Sequence, residues 1–341
     1  MKTFFSFLLS AVFAFPAFGQ QAKDSSFKII DHIKLPADTL RLGEIEKEIV
    51  IYHGSTFKVY PYNKKRVQAV AAGNIVGYGA IMAGLYSAWY SKYPQSNFHF
   101  FNDNHEWLQV DKVGHMFSAY AESYGSMEMW RWTGVNRNKR ILLGGLSGAA
   151  YQTVIEVLDG FSTEWGWSWG DFAANVAGSG LLVGQEFAWD EQRIRMKFSV
   201  HKKNYGAPDL TKRANELYGK SFQERFIKDY NGQTYWLSTN LKAFMPQSNL
   251  PPWLNVAVGY GAEGMFGGKE NIAVKEGQIT FDRRDIKRYR QWYLAPDVDF
   301  NRIKTKSKLL KLTFGFLNVL KFPTPSLELS NNKLRVNFLT F

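Results

Sequence analysis

Two textures of hydrophobic and polar positions divide this chain. Between Arg66 and Lys92 lie 25 uncharged residues, VQAVAAGNIVGYGAIMAGLYSAWYS. That is long enough to cross a bilayer, yet Gln68, Asn74 and several glycines interrupt it, as they would the central helix of a bundle. A loop rich in Asn, Asp and His follows at 97–105, and further apolar runs predict helices over 108–132, 140–158 and 171–195. The pairs Gly73/Gly77, Gly144/Gly148 and Gly180/Gly184 predict close approach of helix backbones, because glycine otherwise costs a helix interior about 1 kcal/mol. Beyond about residue 193 the period changes to two. In RIRMKFSVH (193–201), Ile194, Met196, Phe198 and Val200 share one face and basic or polar residues take the other, a strand pattern. Segments 235–243, 254–262, 291–300 and 334–341 read the same way, and 303–320 reads as a helix with a basic start, KTKSKLLK.

The fold class expected from this pattern is α+β. A hydrophobic four-helix bundle over 65–195 precedes a β-rich region over 196–341, with a small antiparallel curved sheet and one basic helix. Residues 20–64 are polar and mixed, and read as irregular. Five strands are too few for a single-chain membrane barrel, although the last strand alternates and ends on Phe341, as barrel strands do.

The first residues, MKTFFSFLLSAVFAFPAFG, combine one lysine, an apolar run and small residues near Gly19. They read as a signal peptide over 1–19, cleaved near Gly19–Gln20, so the chain is exported. It contains no cysteine, which excludes disulfides, thiolate metal sites and a lipid-modified cysteine in this sequence. A net charge of +12 with 16% aromatic residues points to membrane lipid or another anionic envelope component as partner. Nucleic acid is not expected in that compartment, and no protein partner can be named.

Polar pairs stand out within the apolar helices. Asp111 and His115, Gln152 and Glu156, and Asp171 and Asn175 are each spaced i, i+4 and so share a helix face. Ionisable groups in such surroundings are costly unless paired. Asp111, His115, Glu156 and Asp171 form the candidate cluster, supported by Lys112, Gln152 and Asn175. Imidazole and carboxylates suit a divalent metal or general acid–base chemistry. The same residues also suit a buried network that fixes helix register without chemistry, with Asp171 as a helix cap and Glu156 bridging to Lys112 or Arg140. In FSTEWGWSWGDFAANVAGSG (161–180), Trp165, Trp167 and Trp169 alternate, which places three indoles on one side of an extended lead-in. Ser168 and Asp171 then make an S-x-x-D helix start. The indoles are expected at the mouth of the bundle, facing membrane or a pocket rim, with Glu164 and Asp159 beside them. No G-x-S-x-G, H-E-x-x-H or phosphate-cradling motif occurs.

The blocks DKVGHMFSAY (111–120), QTVIEVLDG (152–160) and WSWGDFAANVAGSGLLVG (167–184) carry a resemblance. The chain resembles the YfiM-type exported envelope proteins, domain-of-unknown-function family 2279. It is more distantly similar to VanZ-like membrane proteins, with their D-K-x-x-H, E-x-x-Q-type and D-x-x-x-N-x-x-G helices. Asp111, Lys112, His115, Glu156, Asp171, Asn175 and Gly178 fall on those patterns. Gln152 precedes Glu156 instead of following it, and Thr163-Glu164-Trp165 stands where the VanZ pattern has a basic residue. The likeness covers about 65–190, with further blocks at 229–238, 253–265 and 304–329. It implies the periplasmic face, the outer membrane or membrane association in a Gram-negative envelope, and no settled activity. Two functions stay open: a membrane-associated envelope protein with a structural or ligand- or lipid-binding role, or a lipid- or glycan-processing enzyme built on Asp111, His115, Glu156 and Asp171.

Overall fold

The structure, a computed structural model, describes residues 50–52, 55–57, 60–88 and 94–340. The expected signal peptide and most of the 20–64 segment lie outside the described residues. A short hairpin, β1 (Val50–Tyr52) and β2 (Ser55–Phe57), precedes helix α1 (Lys64–Ala88). Helix α2 (Val110–Thr133) runs through the centre of the helical half and touches α1, α3 (Arg137–Gly145), α4 (Ser147–Gly160) and α5 (Trp169–Trp189). The fold is α+β, but the third expected helix is divided at Leu146. Five helices, α1 to α5, therefore share the part of the helical half that is described, where four were expected.

Two serines fix the crossing of α2, α4 and α5. Ser123 Oγ and Ser179 Oγ are 2.9 Å apart, and they accept the Gly148 and Ala149 amides at 3.0 and 2.9 Å. Gly144 and Gly148 make the close approach their spacing predicted. A Cβ at Gly148 would lie 2.1 Å from the Ala119 carbonyl oxygen. The other two pairs do not: a Cβ at Gly73, Gly77, Gly180 or Gly184 would meet nothing within 4 Å. On α5 the contact is made by Gly178, whose Cβ would lie 2.1 Å from the Met116 carbonyl oxygen. Spacing marks a small stripe but not the side that faces a neighbour.

Helix α5 stops at Trp189, short of the expected Arg195. Asp190 turns left-handed (φ 56°), and Gln185 Oε1 accepts the amides of Arg193 and Ile194 at 3.0 and 2.7 Å. That carboxamide joins the helical half to β3 (Ile194–Val200). Helices α6 (Pro208–Tyr218) and α7 (Phe222–Lys228) come next, then β4 (Gln233–Asn240), the single turn α8 (Leu241–Phe244) and β5 (Leu254–Glu263). A hairpin, β6 (Ile272–Lys275) and β7 (Gln278–Asp282), interrupts the meander before β8 (Tyr289–Val298). Helix α9 (Lys308–Leu317), β9 (Thr324–Ser330) and β10 (Lys333–Thr340) complete it. The main sheet is antiparallel, in the order β10-β9-β8-β5-β4-β3. Asn331 and Asn332 (φ 47° and 58°) close the β9–β10 hairpin, as positive-φ two-residue turns do.

One face of this sheet buries polar side chains together with the apolar cluster Trp236, Ala257, Tyr293 and Ala295, and much of the other is apolar and exposed. The register lines up Lys197, Trp236, Gly259, Tyr293, Glu328 and Arg335 across the strands. On this face Lys197, Ser199, Ser238, Asn255, Asp297, Ser326 and Glu328 are buried. Lys321 Nζ lies 5.1 Å from the centre of the Trp236 ring, and Lys197 Nζ lies 5.9 Å from that of Phe300, so residues around α9 lie against it. The opposite face carries the row Met196, Leu237, Val258, Leu294, Leu327 and Val336, and the row Phe198, Tyr235, Tyr260, Trp292, Leu329 and Leu334. Met196, Phe198 and Tyr235 are buried against the helices, where Phe198 and Tyr235 pack on Val110 and Phe117. Tyr260 also packs there, and farther along the rows exposure rises among the described residues: Trp292 is 49% exposed and Val336 62%.

The glycine contacts give a paired prediction. Gly178→Ala forces a methyl onto the α2 backbone and should lower stability by about 1–3 kcal/mol. Gly180→Ala, two residues away in open space, should be neutral or stabilising by up to about 1 kcal/mol. Thermal melting of the two variants checks it, and equal effects would contradict the packing described.

Candidate functional site

Three left-handed residues introduce α2. Trp107, Leu108 and Gln109 have φ of 48°, 49° and 63°, a conformation that strains non-glycine residues. The C-terminal half holds them there. The Trp107 amide donates to the Gly268 carbonyl at 2.7 Å, the Tyr260 hydroxyl to the Leu108 carbonyl, and Arg290 to Gln109 Oε1 at 2.5 Å. This turn sets where the first residues of α2 point.

Lys112 is the centre of what they build. Its ammonium lies 2.7 Å from Asp103 Oδ2, 2.8 Å from Asp171 Oδ1 and 3.3 Å from Asp111 Oδ2. His115, one turn on, places Nε2 3.6 Å from Asp171 Oδ1 and Nδ1 3.8 Å from Glu156 Oε1. Nδ1 is also 3.3 Å from Asn175 Oδ1. The candidate residues Asp111, His115, Glu156 and Asp171 therefore converge, with Lys112 and Asn175 among them. Glu156, Asp171 and Asn175 are buried, whereas the side chains of Asp111 and His115 each stay 21% exposed.

Other expected members go elsewhere. Gln152 donates to Glu122 Oε1 at 2.9 Å, one helix turn and more away from His115. Arg140 pairs with Glu186 and Asp190. The Glu164 amide donates to Ser162 Oγ within its own turn. Trp167 and Trp169 meet edge to face at 5.3 Å, and Trp165 lies apart from them. Trp165 packs near Ile81 and Tyr151 on α1 and α4, Trp167 is buried, and Trp169 is 61% exposed and stacks on Phe100. Between the last two, Ser168 reaches the cluster. It caps α5 by accepting the Asp171 amide at 3.1 Å, donates from Oγ to Asp103 Oδ1 at 2.6 Å, and donates its amide to Glu156 Oε2 at 3.4 Å.

Three members escaped the sequence pattern. Asp103 lies in a polar loop, Ser168 was read only as a cap, and Tyr230 comes from the sheet half. The Tyr230 hydroxyl donates to Asp111 Oδ1 at 2.5 Å. The Tyr230 block was legible only as part of a resemblance.

The electrostatics follow from burial and from the shared cation. Burial pushes the Glu156 carboxyl up to about 8, against the opposing pull of His115. Burial also raises Asp171, and Asp111 adds to the rise; His115 and Lys112 oppose it. Burial works against the imidazolium of His115, yet Asp111, Asp171 and Glu156 together raise it above its ordinary value. Burial would raise Asp103, but hydrogen bonds from Lys112 and Ser168 hold it below the usual carboxylate range.

Asp111, His115 and Asp171 can bring ligand atoms within 4.8 Å of one another, a donor set suited to a divalent cation. Lys112 does not fit that reading. Its ammonium already sits at 2.7–3.3 Å from three carboxylates and would repel a metal ion placed among them.

The class defined here is an α+β protein whose helices are clamped by a buried lysine–carboxylate–histidine cluster. Residues 99–184 match the family described as predicted periplasmic lipoprotein (DUF2279). That span holds every cluster residue named above except Tyr230. The match supports the first resemblance, and the VanZ-like one rests on its motif alone. No curated protein and no solved structure matches the chain. The matched segment agrees with an exported protein, periplasmic or membrane-associated, and the sequence contains no cysteine.

Groups whose folded pKa lies above the unfolded value stabilise the fold at low pH, and that stabilisation is lost as pH rises through the folded value. Glu156, Asp171 and His115 all shift in this direction. Melting temperature should therefore fall between about pH 5 and about pH 8. One pKa unit is worth about 1.4 kcal/mol. Glu156→Gln should flatten the fall, and a melting temperature that rises across this range would contradict the assignment.

Proposed function

We propose that this chain is an exported envelope protein that rests against a membrane, with the outward rows of its sheet in contact with lipid. The observation that carries the reading is the outer face of the sheet, where Val258, Trp292, Leu294, Leu327, Leu329 and Val336 are exposed while the other face buries Lys197, Asp297 and Glu328. Soluble antiparallel sheets put the polar face in water, and lipid-facing sheets do the reverse. The helices add bare apolar side chains, among them Ile75, Val76, Leu142, Leu143 and Val154. The stretches Lys64–Gly84 and Arg137–Gly160 are long and apolar enough by length and composition to cross a membrane, but contact is all the reading requires. The surplus of positive charge favours anionic head groups as the polar part of the partner. In this reading the Lys112 cluster is structural and holds α2, α4 and α5 in register.

A second reading, a lipid- or glycan-processing enzyme, draws on His115. Its ring faces carboxylates from two helices while part of it stays open to solvent. His115→Gln separates the two readings. A structural role leaves membrane binding intact in the folded variant, and a catalytic role abolishes turnover of an envelope lipid or glycan.

The membrane reading is tested by flotation of the purified chain with vesicles of phosphatidylethanolamine, with and without phosphatidylglycerol. Binding should survive a high-salt wash, and Leu294→Glu combined with Leu327→Glu should reduce it severalfold. Complete release by salt would mean purely electrostatic attachment and would defeat the reading.

A further inference from the structure

A cavity of about 150 Å³ opens between α1, the middle of α2, Tyr151 of α4, the start of β3 and the turn after α9. It is separate from the Lys112 cluster, none of whose residues lines it. Gly73 and Gly77 form its α1 wall. Since a Cβ at either would meet nothing within 4 Å, the space reaches the helix backbone. Ile81, Met129 and Met196 make other parts of the wall apolar.

Its polar lining is incomplete. Tyr151 is 6% exposed and its ring stacks on Tyr78 at 4.7 Å, yet its hydroxyl has no hydrogen-bond partner among the described residues. Glu122 Oε1 accepts from Gln152, whereas its buried Oε2 has none. Arg195 lies over the Tyr124 ring, with Nε 3.6 Å from Asp299. A buried polar atom left unpaired costs about 1–3 kcal/mol. A tyrosine hydroxyl can donate, and so can a protonated carboxyl. Burial pushes Glu122 up to about 8, which favours its protonated form. Two unused donors and a guanidinium beside one largely apolar space match a ligand that brings an oxygen acceptor on an apolar chain.

We propose that this cavity binds the acyl end of an envelope lipid, with the carbonyl or carboxylate oxygen at Tyr151 and Glu122 and the first methylenes along Gly73 and Gly77. A space of this size accepts a group as large as a benzene ring, so the rest of the chain leaves it beside Gly73, which is exposed. The proposal deepens the lipid-contact reading but needs no bilayer.

The test is titration of the full chain, purified in a bile-salt detergent, with cis-parinaric acid, whose fluorescence rises in a dry site. Saturable one-to-one binding is expected. Gly77→Leu projects a side chain into the space from a position whose Cβ meets nothing within 4 Å, and should weaken binding at least tenfold. Tyr151→Phe removes one hydroxyl and should weaken it severalfold. Displacement by palmitate alone would assign a free fatty acid, and displacement by a lysophospholipid as well would assign any acyl carbonyl. Non-saturable uptake, or unchanged affinity in both variants with intact melting curves, would overturn the proposal. If Gly77→Leu melts early, Tyr151→Phe decides alone. Gly77→Leu should still float with vesicles, so failure of the cavity and failure of membrane contact are read separately.

Discussion

Lys197 and Asp297 meet at 2.8 Å with neither side chain exposed. Ser238 donates to the same carboxylate at 2.6 Å, Lys321 stands 3.7 Å from it, and Lys197 donates to the Val298 carbonyl. A buried ion pair is tolerable when further hydrogen bonds satisfy its atoms, and here the carboxylate also accepts the Phe322 amide at 3.3 Å. The consequence reaches the whole sheet. Strand side chains alternate between two faces, so a polar network on the inner face leaves the outer face to leucine, valine and tryptophan. Helix α2 covers that face at β3 and β4 through Val110 and Phe117. Tyr260 of β5 still packs on the cluster around Val110, whereas Val258, Trp292, Leu294, Leu327, Leu329, Leu334 and Val336 stand exposed among the described residues.

Lys112 plays the corresponding part in the helical half. One ammonium neutralises carboxylates from α2, α5 and the loop before α2, and the strained turn at 107–109 directs it there. Tyr230 ties Asp111 to the chain that leads into β4. Removing a partner from such a group strands a buried charge, typically at 3–5 kcal/mol. The cluster therefore has a structural reason to exist before any chemistry is assigned to it.

Much of this was legible in the sequence, for identifiable reasons. The i, i+4 pairs placed Asp111 with His115 and Asp171 with Asn175 on shared faces, because helix geometry alone decides that. Period-two alternation located β3, β5, β8 and β10. Strand β9 was hidden by Pro323 and Pro325, although Ser326–Ser330 alternates. Ser221 and Glu224 form a capping box whose S-x-x-E pattern was readable and unread. Asp103, Ser168 and Tyr230 reach the cluster from loops and from the other half, by tertiary folding that spacing does not encode. Alternation separated two faces of each strand without saying which one lies inside. The apolar row is buried at Met196, Phe198 and Tyr235 and exposed at Leu294, Leu327 and Val336, a difference set by where the helices pack.

The chain has no cysteine, so single cysteines introduced along β9 can report which face meets lipid. Fluorophores at Leu327 and Leu329, on vesicle-bound protein, should be quenched by bromolipids and shielded from aqueous iodide. Fluorophores at Ser326 and Ser330 should escape the bromolipids. A two-residue period in lipid quenching is the result this account predicts, and uniform iodide quenching without bromolipid quenching at Leu327 and Leu329 would contradict it.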